Sequence, residues 1–170
     1  MAPKHRGNMK YYAVVRGRIN EPTIFSSWGD TYPRIVGYSN PKLLAFSNLK
    51  EARKYMKGSG ITEYKIDIKE GAGQTAPLLG HGGFYAVAHG RVPGIYLDWR
   101  KAELQTKKFS GAYCEKFGTY AQAKDFIKSW NIACIEIYAK ELYEHLSEGS
   151  HPRDVKLNNF KRQFVEQYQA

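Results

Sequence analysis

Long apolar runs are missing from this 170-residue chain: no stretch approaches the roughly 18 consecutive apolar residues of a membrane-spanning helix. The opening MAPKHRGNMK has no apolar segment that could serve as a secretory leader, and its basic, acid-free make-up leaves an organellar presequence as the only targeting reading. Cysteine is scarce. Cys114 and Cys134 stand 20 apart, without CxxC spacing or a histidine placed to complete a zinc site, so they read as reduced thiols of a cytoplasmic or nuclear protein. The five histidines, His5, His81, His89, His145 and His151, fall mostly in loop-like contexts and are assigned neither metal nor catalysis. The one Gly-x-Gly lacks the strand-to-helix and Lys-Ser/Thr context of a phosphate loop, so no nucleotide site is read and no cofactor is expected. Disorder is excluded too, since 42% of the residues are hydrophobic and 14% aromatic.

Acidic residues are in short supply, with 16 Asp and Glu against 26 Lys and Arg. The excess is uneven. Residues 10–60 carry nine basic against three acidic side chains, and residues 84–131 eight against four, while residues 141–170 carry four against five. The positive charge therefore belongs to two parts of the chain, and a basic surface of that kind points to a polyanion, most often nucleic acid.

Those two parts are copies of one another. Tyr12, Ala13, Val14, Gly17 and Arg18 recur 73 residues later as Tyr85, Ala86, Val87, Gly90 and Arg91. From Ile24 onward the shift is 71, pairing Trp28 with Trp99, Phe46 with Phe117, Ala52 with Ala123 and Ile61 with Ile132. A constant shift broken by one two-residue change is duplication with a single indel.

Within each copy, Tyr-Ala-Val alternates as a strand does, Gly-Arg with Pro22 or with Pro93 and Gly94 supplies a turn, and a second β-rich run completes a hairpin. WRKAELQTKKF then predicts a short helix; in copy one Pro33 interrupts the equivalent stretch and predicts a shortened one. A short strand follows, LLAF or YCEKF. A second helix is marked by the stripe Ala123, Phe126, Ile127, Trp130, or Leu49, Ala52, Tyr55, Met56, with Thr119 or Ser47 as its cap. These stripes are core, because their spacing is what packing a helix on a sheet demands. The alternating runs Tyr64, Ile66, Ile68 and Ile135, Ile137, Ala139 predict one more strand after each second helix. The fold class is α+β: two ββαβα modules with three-stranded antiparallel sheets, the extra strands, and a C-terminal helix with Leu157, Phe160, Phe164 and Tyr168 on one side. The first module spans 10–70, a Gly-rich linker 71–83, the second module 84–141 and the tail 142–170. The tail docks on a module or offers its apolar side to a protein partner.

The order Phe-Tyr-Ala-Val, Gly-Arg, Gly/Pro turn, aliphatic-aromatic strand, Trp, basic helix, short strand ending in Phe and Ala/aromatic helix resembles the hybrid-binding domain found at the N-terminus of type 1 ribonucleases H and in caulimovirus viroplasmins. The likeness covers residues 11–58 and 84–130. It implies a module that grips RNA/DNA hybrid or double-stranded RNA without sequence preference. An A-like minor groove displays 2′-hydroxyls and phosphates rather than a base code, which suits such a grip. By the resemblance, Trp99 and Trp28 press on deoxyribose, Tyr85 and Tyr12 line the DNA-strand channel, and the loop around Lys108 and Gly111 (Gly37 and Asn40 in copy one) offers backbone groups to 2′-hydroxyls. The family's third strand usually reads Arg-Phe-Lys-Lys-Phe. Copy two has Tyr113-Cys114-Glu115-Lys116-Phe117 and keeps Lys116, with Glu115 adverse to phosphate, whereas copy one, Lys42 to Phe46, keeps neither lysine. Arg100, Lys101, Lys107, Lys108 and Lys116, with Lys42 in copy one, supply salt-dependent contacts to phosphates. The acids at the C-terminal end, Glu141, Glu144, Glu148, Asp154 and Glu166, fall within residues 141–170 and cannot build the metal site of a nuclease domain. The reading is a non-catalytic duplex binder without a membrane association; the alternative is a ribosome-associated factor that holds ribosomal RNA or protein in translation.

Overall fold

A computed structural model describes residues 11–69, 83–151 and 153–155 of the chain. The Gly-rich linker, apart from Gly83, and the apolar stripe from Leu157 to Tyr168 lie outside the described residues. The first module runs β1 (Tyr11–Arg16), β2 (Thr23–Phe25), α1 (Trp28–Ile35), β3 (Lys42–Phe46), α2 (Leu49–Gly58) and β4 (Lys65–Asp67). The second runs β5 (Phe84–His89), β6 (Gly94–Tyr96), α3 (Trp99–Thr106), β7 (Tyr113–Phe117) and α4 (Tyr120–Ser147). The sequence-predicted ββαβα order is present in both.

The second sheet has the expected three antiparallel strands, in the order β6-β5-β7; the first is four-stranded, β3-β1-β2-β4, with β4 parallel to β2. The extra strand expected after each second helix thus exists in copy one alone. In copy two Ile135, Ile137 and Ala139 belong to α4, which runs on for 28 residues. The cause is local. Copy one stops α2 with Gly58-Ser59-Gly60, where Gly60 takes a left-handed φ of 78°; copy two has Ser129-Trp130-Asn131 at the equivalent positions, and nothing there ends the helix.

Two further expectations change. Pro33 does not shorten α1, since α1 and α3 are both eight residues long. Its missing N–H falls late in the helix, and the ladder resumes at once with Val36 N–H to Tyr32 O, 2.9 Å. The cap of α2 is Asn48 rather than Ser47, its side chain accepting from Glu51 N–H at 2.9 Å. Thr119 caps α4 as expected and closes a capping box with Gln122.

Each sheet alternates its side chains between two faces. Ala13 and Ile24 point to one side of the first sheet, where with Ala52 and Met56 of α2 they form a small, fully buried core. Tyr12, Val14 and Phe25 point to the other. There they join Trp28, Tyr32 and Ile35 in a larger core that continues into module two through Ala86, Ala88, Ala123, Phe126, Trp130 and Cys134. Module one thus lays its α1 face beside α4 on the second sheet. The two helices meet closely because position 29 is glycine: a Cβ there would stand 2.7 Å from Phe126 O and 3.2 Å from Ser129 Cβ. Aromatic contacts fill the joint, with Tyr32 4.5 Å from Tyr113 and 5.3 Å from Trp130 between ring centroids. Ion pairs border it: Arg34 with Glu136, Arg18 with Glu141 at 3.5 Å, and Lys69 with Asp30 at 2.7 Å, the same ammonium reaching Ser129 Oγ at 3.0 Å. The cysteines are free, and burial pushes their thiols up to about 11 for Cys114 and about 12 for Cys134. Among the described residues no helix is long and apolar enough to cross a membrane.

Candidate nucleic-acid interface

The same aromatic pair is built twice. Tyr12 and Trp28 stand 5.0 Å apart between ring centroids, and Tyr85 and Trp99 stand 5.5 Å apart, at nearly equal tilts of 44° and 52°. In each copy the tyrosine sits on the first strand and the tryptophan opens the short helix, so the hairpin register and the helix start fix the pair together. Their surroundings differ. Trp28 is 6% exposed and Tyr12 4%, both inside the joint between modules, whereas Trp99 is 48% exposed. Burial raises the Tyr12 phenol well above its ordinary value, and the nearby Glu115 carboxyl adds to the shift.

Charge is arranged around the open pair. The Lys116 ammonium lies 5.4 Å above the Tyr85 ring, in register with it across the β5–β7 ladder. Gly83 makes room for that lysine, since a Cβ would stand 2.3 Å from Lys116 Cε. Arg100 and Lys101 follow Trp99 into the first turn of α3, where the Asp98 carboxylate accepts from their backbone N–H groups at 2.7 and 3.4 Å and leaves both side chains exposed. Lys107 and Lys108 are exposed at its far end. The structure therefore brings Tyr85, Trp99 and Lys116 together and leaves Arg100, Lys101, Lys107, Lys108 and Gly111 exposed along α3 and the loop after it. Glu115, adverse to phosphate by the sequence reading, points the other way: it sits with Tyr113 on the face turned to module one, and burial raises its carboxyl to about 7 against a hydrogen bond from Tyr113.

In copy one the equivalent positions have lost their positive charge. Arg100, Lys101, Lys107 and Lys116 correspond to Gly29, Asp30, Val36 and Ala45. All eight residues of α1 are buried, so Tyr12 and Trp28, offered by the sequence as a second ligand pair, are core of the module joint. Asn40 and Lys42 remain exposed, but the Asn40 carbonyl accepts from Arg16 Nε at 2.8 Å.

Sequence reasoning missed the residues that hold the loop. The Gly-Arg read as a turn ties the first strand to the end of the short helix: Arg91 N–H donates to Gln105 O at 2.9 Å, and its guanidinium donates to Leu104 O and Lys107 O at 2.8 and 2.9 Å. Arg18 does the same in copy one, through Arg34 O at 2.7 Å and Val36 O. Gly17 and Gly90 permit it, since a Cβ would stand 2.8 and 2.7 Å from the carbonyl oxygens of Arg34 and Gln105. His89, given no role by the sequence, is buried on β5 with Nδ1 2.8 Å from Gly111 O. For the Gly-Arg pairs the signal was available, since they recur at the repeat offset. The loop itself has one shape in both copies: φ is 65° at Gly37 and 56° at Lys108, then 52° at Asn40 and 72° at Gly111. Among the described residues no cluster of three or more His, Cys, Asp or Glu side chains is placed to hold a metal ion.

A family model described as Ribonuclease H1 N-terminal domain matches the chain twice, over residues 10–56 and 83–127. The chain belongs to this family. Among individual relatives, Ribonuclease H of Saccharomyces cerevisiae is 46% identical over 46 residues, 27% of this chain and 13% of that protein. Ribonuclease H1 of Mus musculus is 38% identical over 52 residues, 31% of this chain and 18% of its own length. Ribonuclease H1 of Homo sapiens is 39% identical over 49 residues, 29% and 17% respectively. The chain thus spans less than a fifth of the length of the curated relatives it matches, and the shared part is the N-terminal module. The ribosome-associated alternative draws no support from these likenesses.

Proposed function

We propose that this protein binds RNA/DNA hybrid, and with it other A-form-like duplexes such as double-stranded RNA, through module two, without catalysing a reaction on the bound strands. The observation that carries the reading is the open Tyr85–Trp99 pair with Lys116 above the tyrosine, set in a family of ribonuclease H N-terminal domains. A flat indole exposed beside cations suits a sugar face flanked by phosphates. Cations at Arg100, Lys101, Lys107 and Lys108 extend the charge along α3 and into the loop, where Lys108 and Gly111 take left-handed backbone conformations. Specificity for strand type would come from 2′-hydroxyl contacts made by that loop, and affinity from phosphate neutralisation. Module one stabilises this surface from behind by covering the other side of the second sheet.

Gel-shift titrations of matched hybrid, RNA duplex and DNA duplex at several salt concentrations test it. The expected result is tightest binding to hybrid or RNA duplex, falling with salt, and weakened about tenfold or more by Trp99→Ala. Equal binding to DNA duplex, or binding indifferent to Trp99→Ala, would contradict it.

A further inference from the structure

The outward face of α2 carries Lys50, Arg53, Lys54 and Lys57, four exposed cations at helical spacing, and none of them is in an ion pair with a described residue. The shared fold does not require them. At the equivalent positions on α4 stand Ala121, Lys124, Asp125 and Lys128, although both helices pack the same way on their sheets through Ala52 and Ala123. Four net charges against one, on two copies of the same helix, mark a property of module one alone. Its one acid, Glu51, sits at the first turn, where an acid suits the helix dipole. Uncompensated like charges on one helical face repel each other, so an unpartnered stripe carries a standing cost that a polyanion would remove.

The stripe also has a direction. α2 covers the side of the first sheet that bears Ala13 and Ile24, and module two covers the other side. Trp99 stands on the side of the second sheet turned away from module one. The two surfaces therefore look outward from opposite layers of the molecule and cannot both lie on one short straight duplex. We infer that the α2 stripe is a second nucleic-acid surface, one that contacts phosphates only, and that the protein joins two duplex segments, one on each outer layer. This inference rests on the proposed duplex binding by module two for its first contact. Lys50 to Lys57 spans about 10 Å of helix, enough to reach about three successive phosphates of one strand. Among the described residues no exposed aromatic stands on α2, so such a stripe reads neither base nor sugar and takes any duplex.

The test is co-capture with the full chain. An RNA/DNA hybrid is fixed to beads and a fluorescent DNA duplex is added with wild-type protein, with a variant in which Lys50, Arg53, Lys54 and Lys57 are all replaced by Gln, and with one in which the three lysines are replaced by Arg. Wild type and the Arg variant are expected to co-capture the second duplex. The Gln variant is expected to lose co-capture at least tenfold, to bind hybrid alone within about threefold of wild type, and to show a shallower salt dependence by about two to three in the log–log slope. Unchanged co-capture by the Gln variant overturns the inference, and so does Gln-sensitive capture by phosphatidylserine vesicles without any capture of a second duplex. If hybrid and DNA duplex bind equally and Trp99→Ala has no effect, while the Gln substitutions abolish duplex binding, the reading of module two fails and the α2 surface stands.

Discussion

The two modules share a sequence pattern, an eight-residue helix, a left-handed loop and an aromatic pair of nearly equal geometry, yet one pair is core and the other is surface. The difference lies in the residues around the pair. Where copy two has Arg100, Lys101, Lys107 and Lys116, copy one has Gly29, Asp30, Val36 and Ala45, and a face without these cations can be buried while a face with four of them cannot, unless each charge is paired. Copy one accordingly keeps Asp30 and Arg34 only with partners, Lys69 and Glu136. A ligand surface turned into a docking surface teaches that the aromatic pair alone does not specify what it touches; the charges beside it do.

Truncating the two tryptophans breaks the comparison most sharply. Trp28→Ala empties a site packed by Tyr12, Tyr32 and Tyr113 and is expected to destabilise the fold by about 3–5 kcal/mol in denaturant unfolding. Trp99→Ala, at an exposed position, is expected to change stability by under about 1 kcal/mol while weakening hybrid binding by about 1–3 kcal/mol. Equal stability losses from both would mean that the modules are not used differently. Gly29→Ala comes next. Its Cβ would press on the Phe126 carbonyl, which as helix backbone cannot yield, so a loss of about 1–3 kcal/mol is expected, against a negligible effect for Arg100→Ala at the equivalent position.

Much of this was legible in the sequence and some was not. The duplication, the strand and helix order, the Thr119 cap and the family were carried by spacing and by residue type, which a single chain displays directly. The length of α4 was misread because Ile135, Ile137 and Ala139 alternate as a strand while Trp130, Ala133, Cys134 and Ile137 keep helical spacing over the same residues; the missing Gly-x-Gly stop was the deciding signal. The burial of Tyr12 and Trp28 depends on a partner surface in the other module, distant in sequence, yet the loss of four positive charges in copy one already pointed to it. His89 escaped notice because a buried ring bonded to a loop carbonyl leaves no periodic trace.

The joint between modules also predicts a pH dependence. Glu115 has its carboxyl raised from the ordinary range to about 7, first by burial, and Asp30 is raised by burial as well, despite the hydrogen bond from Lys69. A raised acid favours folding fully only below its unfolded value, so stability is expected to fall as pH rises from about 4.5 through about 7 and to level off above. Glu115→Gln keeps an acceptor for Tyr113 and removes the charge. It should flatten most of that fall and leave the variant more stable than wild type at pH 8 by about 1–2 kcal/mol in thermal unfolding. A variant that tracks the wild type across this window would place the titration elsewhere.

The smallest effect concerns the loop, where the copies differ at one telling position. Gly37 and Lys108 are equivalent and both left-handed, with φ of 65° and 56°. Glycine takes that conformation freely, whereas a lysine is strained by about 1 kcal/mol. A strained lysine on the open copy and a relaxed glycine on the buried one suggest that the side chain is kept for its charge. Lys108→Gly is therefore expected to raise stability by about 0.5 kcal/mol, once the greater freedom of glycine in the unfolded chain is counted, and to weaken duplex binding while reducing the salt slope by about one. Stability and affinity should move in opposite directions. If both rise together, Lys108 is a residue the loop tolerates rather than one the duplex needs, and the grip on phosphate falls to Lys107, Lys116 and the first turn of α3.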